Sequence, residues 1–230
     1  MKNIFFGDDA QIVDITVNTH MLGLHGLLAD AVLQECGVDV DSILPMFGAE
    51  VQIGDATIYL VRRKVISGSH FQVIVSTDDA PAVYEHIFEV GQKHGLLASG
   101  GLTYNILRIR SGRPARPELN LDYIPLEIGL WDEVSFAKGC YTGQEIIARM
   151  ESRAKLAKTI VSLNLSAMVQ APGEVTLDGK AIGKMTSSVQ APDGELFAIA
   201  VIKTHAIATG TDIMVADVPA TVSGLIGEQA

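Results

Sequence analysis

The residues best placed to do chemistry lie between Asp132 and Arg153. Their core, Lys138-Gly139-Cys140-Tyr141-Thr142-Gly143-Gln144-Glu145, sets a thiol between a lysine and the start of a helix. Ile146, Ile147 and Met150 recur at helical spacing, and Thr142 to Glu145 has the Thr-x-x-Glu form of a capping box, so a helix is predicted to begin here. The unpaired amides of a helix N-terminus favour an anion and Lys138 adds a positive charge. Together they predict a depressed thiol pKa for Cys140, provided the sulfur is not deeply buried. A plainer reading stays open, with Thr142 and Glu145 as an ordinary cap, Glu145 and Arg149 as a surface ion pair, and Cys140 as a small packed hydrophobe.

Composition narrows the function classes. The 230 residues are 48% hydrophobic and 19% charged, the balance of a compact chain with a real core. Seventeen basic residues against 27 acidic ones give a net charge of −10, which argues against electrostatic capture of nucleic acid or of an anionic membrane. No run reaches the ~18 to 20 apolar residues of a transmembrane helix, and Asp8 and Asp9 follow the first apolar residues where a signal peptide would have its core. Cys36 and Cys140 lack the pairing of a secreted disulfide framework, so a reducing, cytoplasmic location is expected.

Several elements must position the thiol. Asn3–Phe6 and Ile12–Val17 read as two strands around Gly7-Asp8-Asp9, and Met21–Leu24 as a third. A helical stripe from Leu28 to Cys36 ends at Gly37. Val51–Ile53, Thr57–Val61 and Phe71–Val75 are β-rich. Asp79–His94 is an amphipathic helix with acids at its start, bases at its end and Gly95 closing it. A further helix spans Leu102–Ile109 and ends by Gly112. Prolines 114, 117 and 125 then make an extended crossing toward the octapeptide. After Lys158 the chain changes to short strands at 159–165, 174–177, 181–186, 196–202 and 212–215, an all-β sandwich or barrel. The change falls between Ser152 and Lys158, dividing the chain into regions 1–155 and 156–230.

Three further features stand out. Arg62-Arg63-Lys64 is either a solvated strand end or a place where an arginine holds a carboxylate. Arg108 lies among Ile106, Leu107 and Ile109, so it snorkels or points into a polar cavity. Glu127 is the only carboxylate in the apolar run Ile124–Leu130 and needs a partner, either a backbone turn or a ligand's N–H groups. His20 and His25 have loop and packing roles.

The octapeptide resembles the signature of the YgfZ-type folate-binding proteins, relatives of the T-protein (aminomethyltransferase) of the glycine cleavage system. Leu107–Pro114, Ile124–Leu130 and Gly179–Ser187 resemble further motifs of that family in the same order. Arg110 and Ser69 stand where relatives carry glutamate. The resemblance implies an α+β fold: a T-protein-like folate-binding region followed by a small C-terminal β-barrel. It implies tetrahydrofolate, or a derivative, as cofactor. Arg63, Arg108, Glu127, Tyr141 and Gln144 would line the folate site, with Cys140 reactive and Lys138 tuning it. Iron–sulfur enzyme assembly or repair, and through it tRNA modification, is the implied role, with iron–sulfur client proteins as partners. The chain itself carries no cysteine set for a bound cluster. It also implies that Met1 enters near the end of the family's first α/β segment, leaving one wall of the folate channel to be supplied otherwise. A folate-dependent aminomethyltransferase and a non-catalytic interaction domain are the alternatives. Neither catalysis nor oligomeric state is decided by the sequence.

Overall fold

In the computed structural model, residues 11–153, 156–206, 208 and 210–227 are described. They fall into two compact units, within 1–98 and 99–230.

The first unit is a four-stranded antiparallel sheet with two helices. Its elements are β1 (Thr19–Gly26), α1 (Ala29–Glu35), β2 (Gly48–Ile53), β3 (Ala56–Arg63), β4 (Ser69–Ser76) and α2 (Ala80–Gln92), and the sheet order is β1-β4-β3-β2. Period-two alternation decides which face is buried. Ile58 and Leu60 of β3 and Phe71 and Val73 of β4 are buried against Val32 and Leu33 of α1 and Val83 and Ile87 of α2. The α2 start is fixed by a reciprocal pair: the Asp79 N–H donates to Ser76 Oγ at 3.0 Å, and that hydroxyl donates to Asp79 Oδ2 at 2.7 Å. At the other end Gly95, with φ 75°, lets the Leu96 N–H return to the Gly91 carbonyl at 2.9 Å.

Residues 12–17 do not form the expected strand. Asp14 accepts the Thr16 N–H at 2.9 Å and the Thr19 hydroxyl donates to the Ile15 carbonyl at 3.0 Å, so local side-chain bonds turn the chain into a 3₁₀ segment at Thr16–Asn18. The strand expected at Asn3–Phe6 lies outside the described residues.

The second unit is built on a closed barrel. Its strands are β5 (Lys158–Leu165), β6 (Gly173–Leu177), β7 (Lys180–Gln190), β8 (Leu196–Lys203), β9 (Asp212–Val215) and β10 (Val218–Leu225), closing in the order β10-β5-β8-β7-β6-β9. Closure leaves no open edge. Val161, Leu163, Val175, Met185, Ala200, Ile202, Ile213, Val215 and Val222 fill the interior. A second apolar cluster lies on the outer side of β5 and β8, where Ile160, Ile199 and Val201 meet Ile109 of α3 (Gly101–Arg110) and Ile128 of a 3₁₀ turn at Pro125–Ile128. Burial on both faces explains why β8 reads as a continuous apolar run rather than an alternation. Strand β10 is disguised in the sequence by Pro219, Ser223 and Gly224, and its register shifts between Val222 and Gly224.

The compact division differs from the sequence division at 155/156. The latter marks where barrel strands begin, whereas α3 and the 3₁₀ turn pack on the barrel and so group with it.

Candidate functional site

Four of the seven proposed site residues lie on one segment. Helix α4 (Gln144–Arg153) begins after Gly143, which takes φ 90° and offers its carbonyl to the Ile146 and Ile147 N–H groups at 3.1 and 3.4 Å. Ile147 is the buried anchor of the helix. Cys140 is exposed ahead of it and is a free thiol. The Lys138 ammonium lies 4.9 Å from the centre of the Tyr141 ring, and the Lys138 N–H donates to Ser135 Oγ at 3.2 Å. Lys138 and Tyr141 thus bracket Cys140 as a cation–π pair. The anticipated capping box does not form: Glu145 Oε1 accepts from Arg149 Nη2 at 2.9 Å, so its carboxylate serves the surface ion pair. The physical reason is register, since Gly143 rather than Thr142 precedes the first helical residue.

Arg113 anchors the start of this segment. Its Nη1 lies 3.6 Å from Asp132 Oδ2 and its Nη2 donates to Glu133 Oε1 at 2.5 Å.

Arg108 is buried on the face of α3 that meets the barrel. Nε donates to Asn105 Oδ1 at 2.7 Å, Nη1 to Glu118 Oε2 at 3.2 Å and to the Arg113 carbonyl at 3.4 Å, and Nη2 to Ser187 Oγ at 2.9 Å. Ser187 in turn donates to Glu118 Oε1 at 2.6 Å, and the Ala115 N–H donates to Glu118 Oε2 at 2.9 Å. Arg108, Glu118 and Ser187 therefore close a ring of hydrogen bonds. Burial pushes the guanidinium pKa down from its ordinary value, and the Glu118 carboxylate pulls it back up. An open groove of about 720 Å³ runs beside Arg108, lined also by Tyr104, Asn105, Arg116, Gln170 and Ser188. Glu127, Lys138, Cys140, Tyr141 and Gln144 do not line it.

Glu127 is buried in the 3₁₀ turn, where its Oε2 accepts the Ile124 N–H at 3.4 Å. The turn reading of this carboxylate is thus realised. Its other oxygen has no donor among the described residues.

Arg63 lies in the first unit, half-buried at the end of β3, in register with His70 of β4. Its neighbour Arg62 lies 3.5 Å from Asp30 Oδ1, and Ser69 donates its hydroxyl to Asp30 Oδ2. Ser69 therefore serves an α1 carboxylate.

Sequence reasoning missed Glu118, Asn105 and Ser187 as Arg108 partners. The available signal was Arg108 itself, because a guanidinium among apolar helix residues requires a counter-charge and Glu118 is the next acidic residue along the chain. Among the described residues no group of three or more His, Cys, Asp or Glu could hold a metal ion, and no helix is long and apolar enough to cross a membrane.

Comparison with known proteins gives concordant results. Residues 1–138 match the family model described as the GCVT N-terminal domain. A chloroplastic protein of Arabidopsis thaliana, named provisionally as a transferase, is 31% identical over 99% of this chain and 52% of its own length. The aminomethyltransferases of Halalkalibacterium halodurans and Moorella thermoacetica are 25% and 27% identical, over 90% and 91% of this chain and 58% of their own lengths. The chain thus spans somewhat more than half the length of the curated relatives it matches. The crystal structure of the glycine cleavage system aminomethyltransferase T from Bartonella henselae superposes with a TM-score of 0.75 at 19% identity, covering 91% of this chain and 60% of that one.

Proposed function

The chain belongs to the GCVT N-terminal domain family, and from that premise we propose that it is a tetrahydrofolate-binding protein of the YgfZ type, supporting assembly or repair of iron–sulfur enzymes and, through them, tRNA modification. The family match over residues 1–138 carries the reading, because it takes in Arg63, Arg108, Glu127 and Lys138. Two local features support it. Glu127 keeps a carboxylate oxygen for the amino and ring N–H groups of a pterin, and Arg108 borders a groove of ligand size. Tyr141 and Gln144 flank the exposed Cys140, which would be the reactive thiol, with Lys138 as its neighbour. Tetrahydrofolate bound there would supply a one-carbon carrier, and these residues would bind and orient it. Two free thiols fit a reducing compartment such as the cytoplasm.

The relatives named aminomethyltransferase favour a second reading, folate-dependent methylene transfer from an aminomethyl donor. The two separate in one assay: the first reading expects folate to raise the thermal midpoint without turnover of an aminomethyl donor, the second expects turnover. A folate at 100 times its dissociation constant stabilises the native state by about 2.7 kcal/mol. The absence of any shift would leave a non-catalytic interaction domain.

A further inference from the structure

We propose that Glu118 is a positioning residue that cancels the charge of Arg108, so that Arg108 presents a single hydrogen-bond donor to the groove beside it and selects a neutral acceptor, a carbonyl or ring nitrogen, rather than a carboxylate. The inference deepens the folate reading and rests on it for the ligand's identity. Within that reading, Arg108 recognises the pterin or benzamide part of the ligand and leaves the glutamate carboxylates to other groups.

A guanidinium has five N–H groups. Four are taken by Asn105, Glu118, the Arg113 carbonyl and Ser187. One Nη2 hydrogen is left without a partner on a side chain that is 5% exposed and borders the groove. A bidentate grip on a carboxylate needs two parallel N–H groups on one edge, and the ring through Ser187 and Glu118 leaves only one. Glu118 is wholly buried and lies 3.2 Å from Arg108 Nη1, so this ion pair sets a negative charge beside Arg108 that opposes any second anion. Arg116, exposed on the same groove, holds the charge that an anionic part of the ligand would meet.

Inorganic sulfate tests this without a folate. The thermal midpoint is followed with sulfate against chloride at matched ionic strength for the wild type, Glu118→Gln and the double variant Arg108→Gln/Glu118→Gln. A cancelled charge predicts that the wild type responds as the double variant does, while Glu118→Gln gains an additional upward shift. A wild-type response larger than the double variant's, or no gain in Glu118→Gln, overturns the proposal. If Glu118→Gln does not fold, the wild type against the double variant still decides.

Calorimetry then separates this inference from the folate reading. The double variant should weaken 5-formyltetrahydrofolate and its glutamate bis-amide by the same factor, about three- to tenfold for one neutral hydrogen bond. A loss confined to the carboxylate form overturns the inference. No binding of either compound to the wild type overturns the folate reading, and the sulfate comparison alone then settles the role of Glu118.

Discussion

The Arg108 guanidinium and the Ser187 hydroxyl, 79 residues apart in the chain, meet at 2.9 Å and fasten α3 to strand β7 of the barrel. Together with Glu118 they form a buried, charged joint at the place where a helix motif and a barrel motif converge.

That joint predicts an asymmetry. Glu118→Ala leaves a buried guanidinium uncompensated and should cost about 3–5 kcal/mol. Replacing both partners, as in Arg108→Leu/Glu118→Leu, should cost less than the single change. Urea unfolding of the two variants checks the order, and a double variant less stable than Glu118→Ala would contradict it.

The two thiols should differ. Cys140 is exposed, whereas burial raises the Cys36 pKa above its ordinary value, with Glu35 adding to the rise. Alkylation of the native protein should modify Cys140 first, with Cys36 reacting only as the fold opens. Equal rates in Cys140→Ser and Cys36→Ser proteins would rule this out.

Acid should weaken the first unit. Burial lowers the His25 pKa below 6.5, and the ring lies 4.0 Å from that of His70. The folded state therefore binds fewer protons than the unfolded one. The penalty is absent above pH 6.5, grows as pH falls through that value, and levels off below the lowered folded pKa. Hydrogen-exchange protection at Met21–Leu24, corrected for the intrinsic rate at each pH, should fall over that window in the wild type and less so in His25→Gln. Identical pH slopes would refute it.

Gly183 should tolerate no side chain. It pairs with Ile202, and a Cβ there would overlap the Val201 carbonyl and the Ile202 backbone. Gly183→Ala is expected to cost about 1–3 kcal/mol through displaced backbone. A midpoint equal to wild type in thermal unfolding would show that the two strands can part freely.

How far the sequence exposes this molecule depends on where its chemistry is local. Helix α2 was legible because its stripe, its acidic start and Gly95 all lie within one segment. Barrel strands with alternating or apolar runs were legible for the same reason, and β10 was hidden by Pro219 and Gly224. The site divides along the same line. Lys138, Cys140 and Tyr141 announce themselves as one motif, but their geometry differs from the expected cap because Gly143 takes the left-handed turn. Of the Arg108 partners, Glu118 lies ten residues on and is signalled by the need for a counter-charge, whereas Ser187 lies 79 residues away, and only the folded chain brings that barrel strand to the guanidinium.

The central claim is folate binding, and calorimetric titration of tetrahydrofolate and 5-formyltetrahydrofolate into the wild type and Glu127→Gln tests it most directly. The account predicts saturable binding to the wild type and a loss of about tenfold or more in Glu127→Gln, the scale of one charge-assisted hydrogen bond. A folded wild type that takes up neither folate, or a Glu127→Gln protein that binds both as well as the wild type does, would contradict it.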